Sequence, residues 1–354
     1  MRDRQFVKIG KFRIGENYPP FIVAEMSGNH NQSLKRALKL VDLASDAGAH
    51  AIKLQTYTAD TMTLNSRNSE FTIKDKKNIW NNQNLYSLYK KAYTPWEWHE
   101  KIMKHANARG MVCFSSPFDE TAVDFLESLN VPAYKIASFE NNHLPLIEKV
   151  ASTGKPMIIS TGMASIEELK EACNVARKNG CKKLILLKCT STYPASPENS
   201  NISTIPYLKK KFKYIVGLSD HTIGLGVPIA SIATGACLIE KHFTINRKDG
   251  GVDSTFSIEP KELKQLVDES FKAWSSIGKP YIGPTKDEIK NLKHRRSIYV
   301  TKEIKKGDKL TIDNIKIVRP AKGLHPRYFK SAIGKKVLKN LRKNMPLNFS
   351  DFKI

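Results

Sequence analysis

Two histidines end short apolar segments in the second half of the chain. His221 closes "IVGLSDH", His242 closes "CLIEKH", and one helix-length of chain separates the two segments. If these segments are neighbouring strands, both imidazoles lie at the same edge of a sheet. Two imidazoles with oxygen ligands suit Mn, Fe, Co or Zn in an open catalytic site. A lone histidine is more often a hydrogen-bonded core residue, so the metal hypothesis depends on the fold.

A second group of residues has the chemistry of a phosphate site. Lys135 supplies a fixed cation, and Ser138, Ser160 and Ser219 supply hydroxyls. Charge-assisted hydrogen bonds to phosphate oxygens are strong and directional, although serine is equally common as a cap at turns. A metal beside a phosphate site indicates a reaction between a phosphorylated substrate and a carbonyl group that the metal polarises.

Eight short apolar or β-branched segments would be the strands that position these residues. They are residues 21–26, 51–57, 112–118, 133–138, 156–162, 184–190, 215–220 and 237–243. Amphipathic helical patterns lie between them, and the first of these has Ser33 as its N-cap. Apolar strands that alternate with helices predict an α/β fold with a parallel sheet, and eight such units predict a (β/α)8 TIM barrel. An open doubly wound sheet is the alternative, but no G-x-G-x-x-G follows the first strand.

In such a barrel the carboxyl ends of the strands meet at one mouth, where active sites lie. Side chains alternate along a strand, so residues two apart share a face. Charged residues in apolar runs are costly to bury alone, and their recurrence on five strands favours a ligand site over structural ion pairs. The polar residues at the strand ends are Glu25, Lys53, Gln55, Ser115, Ser116, Lys135, Ser138, Ser160, Thr161, Lys188, Ser219, His221, Glu240 and His242.

The last sixty residues have a different pattern, with alternating apolar residues and a weak internal repeat. The repeat is "KEIKKGDKLTIDNI" and "KNLRKNMPLNFSDF", and it predicts a small β-rich domain. We expect the barrel at 1–282, a linker at 283–294 and the small domain at 295–354. A long insertion after the second strand, residues 65–95, is interpreted as either a lid over the mouth or a further surface helix.

The composition limits the partners. With 58 Lys and Arg against 34 Asp and Glu, the chain has a net charge of +24, and such a basic chain could bind nucleic acid. Its lysines are scattered singly, without the interleaved aromatic residues on which the bases of a single strand would stack. We therefore expect a solvated lysine-rich surface and no nucleic-acid partner. We find neither an apolar run of membrane-helix length nor a secretory signal, and expect a cytoplasmic protein with no membrane partner. Five cysteines without a C-x-x-C pair favour neither disulfides nor a zinc cluster.

Six motifs, in order along the chain, resemble the sialic acid (nonulosonic acid) synthase family. They are "AEMSGNHN", "KLQTYTADTMT", "VPAYKIAS", "STGM", "GLSDHT" and "EKHF". The resemblance implies a TIM barrel followed by an antifreeze-like (SAF) domain, and condensation of phosphoenolpyruvate with an amino sugar. The variants "AEMSGNHN", "LQTYTADTMT" and "AYTPWEWH" are more similar to the pseudaminic acid synthase branch than to the N-acetylneuraminate branch. Synthesis of N-acetylneuraminate or legionaminic acid from another acetamido sugar is the alternative.

The resemblance also implies roles for residues and partners. A divalent metal, Mn, Co or Mg, would be held by His221 and His242. In the family the small domain crosses onto the partner's barrel in a homodimer, and Arg319 in "VRPAKG" would contact the sugar. The residues implied to bind phosphoenolpyruvate are Lys53, Ser116, Lys135, Ser138, Ser160 and Ser219. Those implied to face the reacting centre and the sugar are Glu25, Gln55, Tyr193, Glu240 and Asp253, of which Glu25, Gln55 and Glu240 are the catalytic candidates.

The implied reaction joins C3 of phosphoenolpyruvate to the metal-polarised aldehyde of an open-chain sugar. Water then adds at C2 and phosphate leaves with C–O cleavage, while Glu25 stabilises positive charge or handles the proton of the water. In the pseudaminic branch the sugar is 2,4-diacetamido-2,4,6-trideoxy-L-altrose. From the residues alone two other hypotheses stay open: a Schiff-base aldolase that uses Lys53, Lys135 or Lys188, and a protein whose basic tail binds nucleic acid.

Overall fold

The computed structural model describes residues 6–76 and 78–353. These residues form two compact units, and the division falls after Gly278. Each unit has a hydrophobic core of its own. The boundaries at 282 and 294 that the sequence suggests for a linker stay a prediction.

The first unit is a closed barrel of eight parallel strands, preceded by a short hairpin. The hairpin strands are β1 (Val7–Ile9) and β2 (Phe12–Ile14). The barrel strands are β3 (Phe21–Glu25), β4 (Ala51–Thr56), β5 (Val112–Pro117), β6 (Tyr134–Ile136), β7 (Met157–Ser160), β8 (Leu184–Cys189), β9 (Ile215–Asp220) and β10 (Leu238–His242). Each strand pairs with the next along the chain, and β10 closes the barrel on β3. All eight segments predicted from the sequence are therefore confirmed as strands.

Helices connect the strands and cover the barrel. In the first unit they are α1 (Leu34–Asp46), α2 (Ala59–Met62), α3 (Leu85–Ala92), α4 (Trp96–Ala108), α5 (Glu120–Ser128), α6 (Leu144–Ser152), α7 (Ile166–Lys178), α8 (Thr204–Phe212), α9 (Gly226–Ala233) and α10 (Pro260–Ser276). The expected N-cap of α1 is confirmed, because the Ser33 side chain accepts a hydrogen bond from the backbone N–H of Arg36. Among the described residues, we find no helix that combines the length and the apolar character needed to span a bilayer.

The hairpin closes one end of the barrel. Val7, Ile9 and Ile14 pack with apolar side chains near the amino-terminal ends of the strands, including Phe21 and Val112. The strand residues that alternate with these point outward and pack against the helices in a separate layer. The hairpin end is filled with apolar side chains. Polar side chains that face the inside of the barrel therefore lie at the carboxyl-terminal mouth.

The second unit is built around a two-stranded antiparallel sheet, β11 (Ser297–Val300) with β12 (Ile315–Val318). Its two short helices are α11 (Lys286–Ile289) and α12 (Phe329–Ala332). The weak internal repeat of the sequence corresponds to a structural one. Val300 pairs with Ile315 in the first copy, as Val337 pairs with Phe352 in the second.

The turns of the two repeat copies also correspond. Gly307 and Asn344 occupy equivalent positions and both have positive φ, 91° and 68°. Glycine and asparagine are the residues that adopt this conformation most easily. Ile304 and Leu341, which precede these turns, pair with each other across the small core. The β-rich character predicted for this part of the chain is therefore confirmed.

Candidate active site

The mouth of the barrel brings most of the predicted residues together on its inner face. His221 directly follows β9, and the others lie on strands β3 to β10. All are buried except Gln55, which is half-buried. The residues that share this face are Glu25, Lys53, Gln55, Ser116, Lys135, Ser160, Ser219, His221, Glu240 and His242.

Two lysines and two glutamates form a buried ion cluster at the centre of the mouth. Lys53 Nζ lies 2.6 Å from Glu25 Oε2 and 3.6 Å from Glu240 Oε1. Lys135 Nζ lies 2.7 Å from the same Glu240 oxygen. Ser116 accepts a hydrogen bond from Lys53 at 3.3 Å, and Ser219 donates one to Glu240 at 3.3 Å. The four charges cancel, as buried charges must if they are to be tolerated.

The two carboxyl groups of this cluster differ in pKa. Burial raises the pKa of Glu25, and this effect together with the charge of Glu240 outweighs the attraction of Lys53. Burial also acts to raise the pKa of Glu240, but Lys135 and Lys53 together lower it to about 2. Glu240 is therefore the stronger acid of the two, and Glu25 takes up a proton more readily.

The two histidines lie side by side next to this cluster. Their ring centroids are 5.3 Å apart. His221 Nδ1 lies 3.0 Å from the carbonyl oxygen of Thr190, which leaves Nε2 for another partner. His242 Nδ1 is buried without a hydrogen-bond partner among the described residues, and lies 3.7 Å from Asp253 Oδ2. Burial, with the nearby charges of His221 and Lys53, lowers the pKa of His242, so this ring is neutral.

This pair fits a divalent metal in an open site. A neutral imidazole with an unpartnered buried nitrogen is the form that binds metal. Within residues 6–76 and 78–353 we find no cluster of three or more His, Cys, Asp or Glu side chains that could enclose an ion. The remaining ligands would therefore be water or substrate, as in catalytic sites, whereas structural zinc takes four protein ligands.

Two loop residues that the family resemblance implied also reach the histidines. Tyr193, in the loop after β8, has its ring centroid 4.5 Å from that of His221. Asp253 accepts a short hydrogen bond from the hydroxyl of Ser27. Phe256 was missed in the sequence, although its ring packs edge-on against His242 at 4.9 Å. It lies on a 3₁₀ turn of three residues, Ser254–Phe256, which is too short to show a period in the sequence.

Hydroxyl groups at the ends of β6 and β7 form the other side of the mouth. Ser138 Oγ accepts a hydrogen bond of 3.2 Å from the backbone N–H of Gly162. A Cβ at Gly162 would collide with Ser191 Oγ and lie 2.7 Å from this Ser138 oxygen, so any other residue would displace both hydroxyls. Ser160 Oγ is buried, and no residue in the described part of the chain bonds to it. Buried polar atoms without partners are rare in native proteins and indicate a missing ligand or water.

Lys188 and Ser115 were wrongly expected at the mouth. Leu187, next to Lys188, packs inside the barrel, so Lys188 faces away from the interior and donates to Thr190 Oγ1 at 2.8 Å. Ser115 bonds Thr56 at 2.6 Å on the helix-facing side. Side chains alternate between the two faces of a strand, and this alternation places both residues on the outer face of the barrel.

A second buried ion pair behind the histidines was also missed. Lys241 Nζ lies 2.5 Å from Asp220 Oδ2 and donates to the Thr222 carbonyl oxygen at 2.6 Å. The Thr222 hydroxyl lies 3.0 Å from each carboxyl oxygen of Asp220. These residues alternate with His221 and His242 along β9 and β10 and face the helix layer. A lysine inside the apolar run "CLIEKHF" was the available signal.

Arg319 belongs to the other compact unit, where it follows β12 and is exposed. Its predicted contact with the sugar stays a prediction.

A parallel eight-stranded barrel with charged residues converging on its mouth has the arrangement of a TIM-barrel enzyme. The chain belongs to the NeuB family, whose profile matches residues 40–281, and the profile of the SAF domain matches residues 295–353. It is a phosphoenolpyruvate-dependent nonulosonic acid synthase. The family resemblance, the fold and the enzyme class expected from the motifs are therefore confirmed.

Three relatives represent different branches of this family. A pseudaminic acid synthase of Campylobacter jejuni is 42% identical over 346 residues, covering 98% of this chain and 100% of that protein. The N,N'-diacetyllegionaminic acid synthase of the same species is 35% identical over 327 residues, 91% of this chain and 97% of that protein. The crystal structure of N-acetylneuraminic acid synthetase from Leptospira borgpetersenii is 32% identical, with a TM-score of 0.73 over 82% of this chain and 95% of that one. Enzymes of this family depend on a metal.

Proposed function

We propose that the enzyme is a pseudaminic acid synthase. It condenses phosphoenolpyruvate with 2,4-diacetamido-2,4,6-trideoxy-β-L-altropyranose and water to give pseudaminic acid and phosphate. The proposal is supported by one comparison above all: the pseudaminic relative matches more of the chain, at higher identity, than the legionaminic relative does. Legionaminic acid or N-acetylneuraminate synthesis is the alternative.

The lysine and serine side of the mouth binds phosphoenolpyruvate in this proposal. Lys53 and Lys135 are buried cations that reach the centre of the barrel. Ser160 has an unpartnered hydroxyl that a phosphate or carboxylate oxygen would satisfy. Ser116, Ser138 and Ser219 supply the remaining hydroxyls.

The charge balance of the cluster supports a cation beside this substrate. Because Glu25 and Glu240 already neutralise the two lysines, a bound phosphate and carboxylate leave the mouth with excess negative charge. His221 and His242 would hold the divalent ion, Mn, Co or Mg, and its charge would offset this excess. A cation bound there would supply polarisation of the aldehyde oxygen of the open-chain sugar.

Other residues of the mouth bind the sugar, position Lys135 and handle charge and protons. Tyr193, Asp253 and Gln55 line the side of the mouth where the sugar lies. Glu240 stays ionised and holds Lys135 in place through the contact of 2.7 Å. Glu25, with its raised pKa, stabilises the positive charge that develops at C2 or takes the proton of the attacking water.

The partner and location follow the same proposal. The small domain reaches the barrel of the partner in a homodimer, where Arg319 contacts the sugar. The enzyme works in the cytoplasm and binds neither nucleic acid nor a membrane.

Phosphate release from phosphoenolpyruvate tests the function. The assay is run with the 2,4-diacetamido altrose, the corresponding legionaminic precursor and N-acetylmannosamine, each with Mn and with a chelator. We expect phosphate release with the altrose sugar and Mn, and little with the other two. Preferential turnover of the legionaminic precursor would select the alternative. Full activity with chelator, together with a borohydride-trapped lysine adduct, would instead favour a Schiff-base aldolase.

A further inference from the structure

Trp80 extends from the 65–95 insertion across the mouth of the barrel. Its ring centroid lies 5.7 Å from that of Tyr193, and its Nε1 donates to the carbonyl oxygen of Val252 at 2.9 Å. Tyr193 follows β8 and Val252 follows β10. One indole therefore joins three of the loops that surround the active site.

The insertion holds this indole in a defined place. The backbone N–H of Trp80 donates to Asn78 Oδ1 at 2.9 Å. Thr72 and Asn84 form a β-bridge across the base of the turn, and the Asn84 side chain donates to the carbonyl oxygens of Ser66 and Phe71. A side chain supported in this way presents a fixed surface to a ligand and loses little entropy on binding.

The contacts of Trp80 are with the sugar side of the mouth. Tyr193 packs on His221, and Val252 precedes Asp253, the carboxylate beside His242. The proposed phosphoenolpyruvate residues come instead from β4 to β7 and β9. A change at Trp80 should therefore alter sugar recognition without altering phosphoenolpyruvate binding.

Trp80 also lines an open cavity next to the segment that carries Asp253. The cavity has a volume of about 460 Å³, and its lining includes Val252, Gln32, Gln83 and Ile79. An aromatic face with neighbouring amide side chains suits an acetamido group, since the methyl packs on the ring while the amide finds hydrogen bonds.

We infer that Trp80 is a specificity-determining residue that, with this cavity, accepts the second acetamido group of the sugar. The inference rests on the proposed function, because it concerns the sugar of that reaction. The acetamido group on C2 is next to the aldehyde and stays near the metal histidines. The group on C4 is farther from the reacting carbon and extends toward the indole. Trp80 thus favours a diacetamido sugar over N-acetylmannosamine, which has one acetamido group.

The test compares kcat/KM for the two sugars in wild type, Trp80→Ala and Trp80→Phe. For Trp80→Ala we expect the preference for the diacetamido sugar to fall about tenfold or more, the usual effect of losing an apolar contact in a pocket. The KM for phosphoenolpyruvate should stay within about twofold, because only sugar binding changes. Trp80→Phe retains an aromatic face and should keep most of the preference.

Trp274→Ala is the matched control. Its indole is half-buried, like that of Trp80, and it also donates to a backbone carbonyl that is distant in sequence, that of Glu16, at 3.0 Å. Trp274 lies on helix α10, however, and not on the 65–95 insertion. It should leave the sugar preference unchanged. If Trp80→Ala does not fold, the ratio of kcat/KM for the two sugars is measured in Trp80→Leu instead, and the same fall in preference is expected.

Two results would overturn the inference: an unchanged preference in the Trp80 variants, or an equal loss for both sugars and phosphoenolpyruvate. Failure of the wild-type enzyme to use any diacetamido sugar would instead overturn the proposed function on which the inference rests.

Discussion

Replacing Lys241 by methionine should destabilise the barrel strongly, although this residue faces away from the substrate. Lys241 and Asp220 are 1% and 3% exposed, and their contact of 2.5 Å is the only ion pair that Asp220 makes within the described chain. Methionine has a similar length but no charge, so Asp220 is left buried and unpaired. The Thr222 carbonyl loses its 2.6 Å hydrogen bond as well.

The expected loss is about 3–5 kcal/mol, the typical result of removing one partner of a buried ion pair. With an m-value of about 3 kcal/mol/M, as expected for a large chain, the midpoint of urea unfolding falls by roughly 1–1.7 M. Adding Asp220→Asn to Lys241→Met removes the unpaired charge and should recover at least half of the loss. Unfolding is followed by circular dichroism, with m compared between the variants.

Lys264→Met is the control for loss of one positive charge. Lys264 pairs with Asp268 at 2.7 Å on the exposed face of α10, and both side chains are about half exposed. Its removal should cost less than about 0.5 kcal/mol. A loss below about 1 kcal/mol for Lys241→Met, or a double variant no more stable than the single one, would refute this reasoning.

Two further predictions concern the hydroxyl side of the mouth. Ser160→Ala should leave the free energy of unfolding within about 0.5 kcal/mol, because its hydroxyl has no partner in the described chain. It should raise the KM for phosphoenolpyruvate about tenfold, measured by phosphate release, and an unchanged KM would remove Ser160 from the site. Gly162→Ala forces a methyl against Ser191 and Ser138 and should destabilise by about 1–3 kcal/mol. A wild-type unfolding midpoint for Gly162→Ala would show that this turn adapts.

The barrel could be predicted from sequence because its strands are buried on both faces. Each strand is a nearly continuous apolar run between helical patterns, and this signal does not depend on distant contacts. The hairpin β1–β2 has only three residues in each strand, too few to show a period. Its place at the closed end of the barrel depends on packing with residues far along the chain.

The histidine pair could be predicted because adjacent strands of a parallel barrel bring equivalent ends together. His221 and His242 end consecutive segments, so the barrel topology alone places them side by side. Trp80 could not be placed in this way. Its contacts with Tyr193 and Val252 depend on how a long insertion folds back across the mouth, and no local period encodes such a path.

Metal binding by the purified protein tests the central claim most directly. Calorimetric titration with Mn compares wild type with His221→Ala and His242→Ala. We predict one ion per chain in wild type and an affinity at least ~100-fold weaker in each variant, since even outer partners of metal ligands alter affinity by 10–100-fold. Wild-type Mn affinity in either variant would contradict the claim that these two imidazoles share one ion.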